Sequence, residues 1–206
     1  MSSQAPLLGL VLAGGQSRRM GADKAALEIA GASMLSRAVA MLELIIDQVY
    51  VSVNADQSDD PFRTEYSVIS DRFSDIGPAA GLLSAHLYSP ESAWLVIACD
   101  MPLLTAATLL HLRDSRKSEM AATVWAAEDS SGPEPLCAIY EPGTLAAFLE
   151  QVTAGGNPSP RDWLLAAQVN VLAAPNQGVL NSANTPEEFA TMTENLNAPV
   201  GATDKK

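Results

Sequence analysis

Apolar positions in this chain fall into two patterns that alternate along its length. Residues 7–12 and 94–99 are continuous apolar runs bounded by turn residues, as expected of strands covered on both faces. Residues 48–53 are β-branched with alternation, and further strands are expected near 67–69, 121–126, 136–140 and 169–172. Between them, Met34, Leu35, Ala38, Val39, Met41 and Leu42 recur at helical spacing. Helices are also expected from Gly77-Pro78 to about Tyr88, from Thr105 through Arg116, and over 143–152 and 161–167. A last helix begins at Thr185-Pro186, with Glu188 placed to complete a capping box. Residues 24–29 form a short semi-apolar segment, 56–61 a polar acidic loop, and 129–135 a loop rich in Ser, Gly and Pro.

Strands alternating with helices predict an α/β fold: a single Rossmann-like three-layer domain with a mostly parallel sheet flanked by helices. Neither an internal repeat nor a linker interrupts it, so one domain is expected over residues 1–196, followed by a polar, disordered tail at 197–206. Ligands of such sheets bind outside the carboxyl ends of the strands. Four candidates fall there: Gly14 after the first strand, Asn54 after the second, Asp71 after the third and Asp100 after the fourth.

Composition narrows the function. The chain has 206 residues, 48% of them apolar and 17% charged, which suits one globular domain. No apolar run approaches the roughly eighteen residues of a membrane span, and residues 1–6 lack a basic signal region. A cytoplasmic protein with no membrane partner is therefore expected. A net charge of −12 argues against nucleic acid as a partner. Such a protein can hold an anionic substrate only by concentrating positive charge locally. Arg18, Arg19 and Lys24 do so within one short loop. Cys99 and Cys137 lie in apolar surroundings as core residues, and the two histidines are too few for a zinc cluster.

That loop, Leu12-Ala13-Gly14-Gly15-Gln16-Ser17-Arg18-Arg19-Met20-Gly21-Ala22-Asp23-Lys24, follows the first strand directly. Its glycines let backbone N–H groups approach a ligand, and its cations match a polyphosphate. It is neither a Walker A loop nor the G-x-G-x-x-G dinucleotide fingerprint. An ordinary glycine turn with exposed charges is the plainer alternative. The order of residues resembles the signature loop of nucleotidyltransferases that transfer a nucleoside monophosphate onto a phosphorylated acceptor. Within them it is most similar to the molybdenum cofactor guanylyltransferases. Cys99-Asp100-Met101-Pro102 resembles the family's metal-binding C-D-x-P segment, and Pro135-Leu136-Cys137-Ala138-Ile139-Tyr140 its P-L-x-A-x-Y strand.

The resemblance implies transfer of GMP from GTP to molybdopterin carrying molybdenum, with release of pyrophosphate. It implies Lys24, Asp100 and Arg19 as catalytic residues, with Mg²⁺ on Asp100. Leu12, Ala13, Gly14, Gly15, Lys24, Asn54, Asp71 and Asp100 would hold the nucleotide, Gly15 favouring GTP over CTP. GTP, a molybdopterin-type acceptor and molybdenum cofactor assembly proteins are the implied partners. A covalent nucleotidyl-histidine is not expected, because His86 and His111 fall inside helices. Asn181-Ser182-Ala183-Asn184-Thr185-Pro186 resembles the late N-x-N-T-P segment with one extra residue, leaving open which asparagine approaches the metal or acceptor. Near the short helix at 161–167 only Arg161 supplies a cation for the acceptor. The rivals are a cytidylyltransferase or sugar-phosphate nucleotidyltransferase, and, in another class, a non-catalytic nucleotide-binding adaptor.

Overall fold

The computed structural model describes residues 4–14, 23–127, 132–173, 178–194 and 196. Strand β1 (Leu7–Leu12) leads to a hairpin of β2 (Glu28–Ile29) and β3 (Ala32–Ser33), then helix α1 (Met34–Glu43). β4 (Val49–Val53), β5 (Val68–Ser70), α2 (Ala79–Tyr88) and β6 (Ala93–Ala98) follow. The second half runs α3 (Ala106–Asp114), β7 (Ala122–Ala126), β8 (Pro133–Tyr140), α4 (Pro142–Thr153), α5 (Pro160–Ala166), β9 (Asn170–Leu172) and α6 (Pro186–Thr193).

The main sheet has the order β5-β4-β1-β6-β8-β7-β9. β5, β4, β1 and β6 are mutually parallel, β9 pairs parallel with β7, and β8 runs antiparallel to both of its neighbours. Alternation along the buried strands makes two cores. In β6, Leu95 and Ile97 join Val11, Val51, Ile139 and the inner faces of α1 and α3. Trp94 and Val96 point the other way, joining Leu10, Tyr140 and residues Leu82, Leu145 and Leu164 of α2, α4 and α5. This is the expected three-layer arrangement. The apolar face of α1 (Met34, Leu35, Ala38, Val39 and Leu42) is buried, and Ser33 caps its start by accepting a hydrogen bond from the Ser36 N–H at 3.0 Å. Cys99 and Cys137 are buried free thiols in the first core. Burial pushes the Cys99 thiol up to about 12, so it stays protonated.

Glycine at 81 permits the close packing of α2 on the sheet. A Cβ there would strike the Ser52 hydroxyl and come within 2.6 Å of Leu12 Cδ2. Gly81→Ala should therefore overpack this contact and destabilise the fold by about 1–3 kcal/mol, read as a lower urea midpoint at unchanged slope. An unchanged midpoint would contradict the packing.

Three local expectations need correction. Residues 24–29 are not one segment: a 3₁₀ turn at Lys24–Ala26 precedes the small hairpin, whose Ala30 and Gly31 take φ of 53° and 81°. The strand expected at 136–140 begins earlier, at Pro133, because β8 extends beside β7 until Ala126 pairs with Pro133. At α6, Thr185 accepts from the Glu188 N–H at 3.2 Å as a cap should. The Glu188 carboxylate, however, returns to the N–H of Asn184 at 2.8 Å, one residue earlier than a capping box requires.

Candidate active site

Because β5, β4, β1 and β6 are parallel, the residues following them emerge at one edge of the sheet. There they border a cavity of about 860 Å³, together with the turn that carries Lys24. Leu12, Ala13, Gly14, Lys24, Asn54, Asp71 and Asp100, all expected from the sequence, line it. Gly15 and Arg19, also expected, lie outside the described residues. Reversal of β8 brings the start of that strand, not its end, to the same edge, and Leu136 completes the wall.

Lys24 and Asp100 are in direct contact at the cavity. Lys24 Nζ donates to Asp100 Oδ2 at 2.7 Å and to Asn184 Oδ1 at 2.9 Å. Their side chains are 17% and 19% exposed, so the pair is shielded yet open to the cavity. Of the two asparagines left open by spacing, Asn184 borders both this cavity and a neighbouring groove beside Glu187 and Glu188, whereas Asn181 borders the groove alone. Asn184 is held by its own backbone, donating to Glu188 on one side of the helix cap.

Asn54 lies tight against the glycine loop. A Cβ on Gly14 would fall 2.9 Å from Asn54 Oδ1 and 3.0 Å from its nitrogen, so glycine here is a requirement of close approach. Asp71 accepts a 2.7 Å hydrogen bond from the Ser52 hydroxyl at Oδ1. Its own N–H donates to the Val53 carbonyl at 2.8 Å, which continues the β4–β5 pairing past the last strand residue.

Burial pushes the Asp71 carboxyl up to about 6, partly offset by the Ser52 hydroxyl. The folded value lies above the ordinary 3.8, so the folded state binds this proton more tightly than the unfolded chain. Stability from this group is full below about 4 and is lost as pH rises through about 6. His86, buried and pushed down by burial, acts in the opposite sense, so the informative quantity is a difference between proteins. Relative to wild type, Asp71→Asn should gain stability as pH rises from 4 to 7. Denaturant titrations across that range measure it, and a pH-independent difference would refute the shift.

One buried cation escaped the sequence reading. Arg63, in the loop after β4, is 1% exposed and binds both Asp60 and Asp23. Asp60 falls in the polar acidic loop expected at 56–61, and only its spacing of three from Arg63 hints at the pairing. The expected acceptor cation, Arg161, lies 3.5 Å from Glu134 and does not border the cavity. His86 and His111 sit in α2 and α3 as expected, also away from it.

Among the described residues no cluster of three or more His, Cys, Asp or Glu could hold a metal alone. The oxygens of Asp100 and Asn184 that converge on one cation, Lys24 Nζ, are hard donors. A site with few protein oxygens suits a small divalent ion that keeps other oxygen ligands of its own.

A glycine loop, a lysine and a carboxylate at the ends of parallel strands define an α/β protein of the nucleotide-transferring class. Residues 9–171 match the model of the MobA-like NTP transferase domain, and the chain belongs to that family. It is 33% identical over 195 residues to the probable molybdenum cofactor guanylyltransferase of Trichormus variabilis, covering 90% of each chain. It is 31% identical over 187 residues to the molybdenum cofactor biosynthesis bifunctional protein of Synechocystis sp., covering 91% of this chain. The match spans 54% of that longer relative. The crystal structure of molybdopterin-guanine dinucleotide biosynthesis protein A from Archaeoglobus fulgidus superposes with a TM-score of 0.75 at 20% identity. It covers 91% of this chain and 97% of that one, a likeness of fold. Among the described residues no helix is long and apolar enough to cross a membrane.

Proposed function

We propose that this protein transfers GMP from GTP to a molybdopterin-type acceptor carrying molybdenum, forming the guanine dinucleotide and releasing pyrophosphate. The observation that carries the reading is Lys24 Nζ held between Asp100 and Asn184 in the strand-end cavity. Relatives named molybdenum cofactor guanylyltransferase support the choice of nucleotide and acceptor. Molybdenum cofactor assembly proteins, which would supply the acceptor, are its partners in this reading, and the cytoplasm its location.

An oxygen of the acceptor phosphate attacks the α-phosphorus of GTP. A new P–O bond forms as the bond to the bridging oxygen breaks, and that oxygen leaves with the β- and γ-phosphates. Lys24 neutralises charge on the departing pyrophosphate, and the backbone of Leu12, Ala13 and Gly14 borders the space for the phosphates; Gly15 and Arg19 are assigned to the same task from the sequence alone. Asp100 and Asn184 would supply protein oxygens for Mg²⁺, which would neutralise phosphate charge when bound. Asn54 and Asp71 hold the nucleoside. Ser52 occupies one Asp71 oxygen and leaves the other to accept from the guanine N1–H and amino group.

Pyrophosphate release should be measured with each of the four nucleoside triphosphates in Mg²⁺, with and without molybdopterin. Release from GTP alone, dependent on the acceptor, is expected. A preference for CTP would overturn the nucleotide assignment. GTP binding without turnover would make the protein an adaptor.

A further inference from the structure

We infer that Arg63 is a positioning residue that fixes the flanks of the signature loop and so presents Lys24 to the nucleotide phosphates. The inference rests on the reading of Lys24 given above. Its guanidinium reaches three parts of the chain at once. One nitrogen binds Asp60 within its own loop, and the other donates to Asp23 Oδ2 at 2.5 Å, forty positions away. That second nitrogen also lies 3.5 Å from the Ala13 carbonyl, fifty positions away. Ala13 and Asp23 are the described residues on either side of the loop, or one step from it. A single buried group thus sets their separation.

The link to Lys24 is direct. Asp23 uses one oxygen for Arg63 and the other to accept from the Ala25 N–H at 3.0 Å, which caps the turn opening at Lys24. Moving Asp23 therefore moves the residue whose Nζ meets Asp100 and Asn184. Charge gives a second reason. Asp23 borders the cavity, where its carboxylate would repel a polyphosphate beside the very lysine meant to attract it. Arg63 offsets that charge from the protein side.

The residue type fits this task better than it fits simple packing. A charge taken out of water is costly unless it is well paired, and an apolar side chain often serves the fold equally well. Arg63 even leaves its Nε buried without a partner among the described residues. A planar fork can bind carboxylates in two directions from one stem, whereas a lysine ammonium is a single point charge.

The test is GTP binding in Mg²⁺ by calorimetry, using wild type, Arg63→Lys, Lys24→Met and the double variant. Arg63→Lys should weaken GTP by about tenfold, within the range of coupled contacts in one network. In the Lys24→Met background the same change should cost less than about twofold, because the residue it positions is gone. Equal losses in both backgrounds would assign Arg63 a structural role only and overturn the inference. Should Arg63→Lys not fold, the neutral triple Asp23→Asn, Asp60→Asn, Arg63→Met removes the pin without leaving a buried charge unpaired. The same loss and the same dependence on Lys24 are expected of it, while wild-type affinity, or a failure of both proteins to fold, overturns the inference. If Lys24→Met alone binds GTP as wild type does, the reading of Lys24 itself falls, an outcome distinct from equal losses.

Discussion

Lys24→Met should slow pyrophosphate release by about 10²- to 10³-fold and leave the protein folded. Methionine keeps the length of the stem and removes only the charge that meets Asp100 at 2.7 Å and Asn184 at 2.9 Å. Donors aimed at charge developing in a transition state are worth about 2.7–4 kcal/mol, which sets the size of the loss. The cost to stability is small by comparison. The pair still opens to the cavity, so water can take the place of the ammonium beside Asp100. The loss should fall on GTP affinity and, more heavily, on the turnover number, since Lys24 meets the bound triphosphate and the leaving pyrophosphate carries still more charge at that position. Single-turnover measurements with GTP and acceptor would show it. A variant retaining more than about a tenth of the wild-type rate would remove Lys24 from the chemistry.

The second large effect is expected at Asp100. Asp100→Asn conserves shape and still offers an oxygen to Lys24, so the loop that follows β6 should keep its place. What it lacks is the anionic charge for a divalent ion, and activity should drop by roughly 10²-fold or more at ordinary Mg²⁺ concentrations. Raising Mg²⁺ should recover part of the rate, which distinguishes weakened metal binding from a misfolded site. A Mg²⁺ titration identical to wild type would show that Asp100 does not carry the metal. The two substitutions thus act on the same hydrogen-bonded pair and differ in metal dependence.

Much of this geometry was legible because buried parallel strands announce themselves. The runs at 7–12 and 94–99 have no polar face, so turn or functional residues were expected at their ends, and Gly14 and Asp100 stand there. Asn54 and Asp71 followed from the same topology. Arg63 was not legible: a charged residue in an acidic loop reads as solvated, and nothing local signals that Asp23, forty positions away, will meet it in the interior. Asn184 could not be separated from Asn181 by spacing, since the choice depends on where Glu188 returns its side chain. The small hairpin at 28–33 was hidden for a different reason. Strands of two residues are too short for alternation to register, and only Gly31 marked the turn.

The attachment of Asn184 to α6 has a thermal consequence. That helix has eight residues, and Thr193 is its one buried residue, so little apolar contact opposes local fraying. When it frays, Glu188 lets go of the Asn184 backbone and Lys24 loses its contact with the Asn184 oxygen, while the sheet stays intact. Heat should consequently inactivate the protein some degrees below the temperature at which it unfolds. Hydrogen exchange in the Asn184 segment should then track activity more closely than the calorimetric melt does.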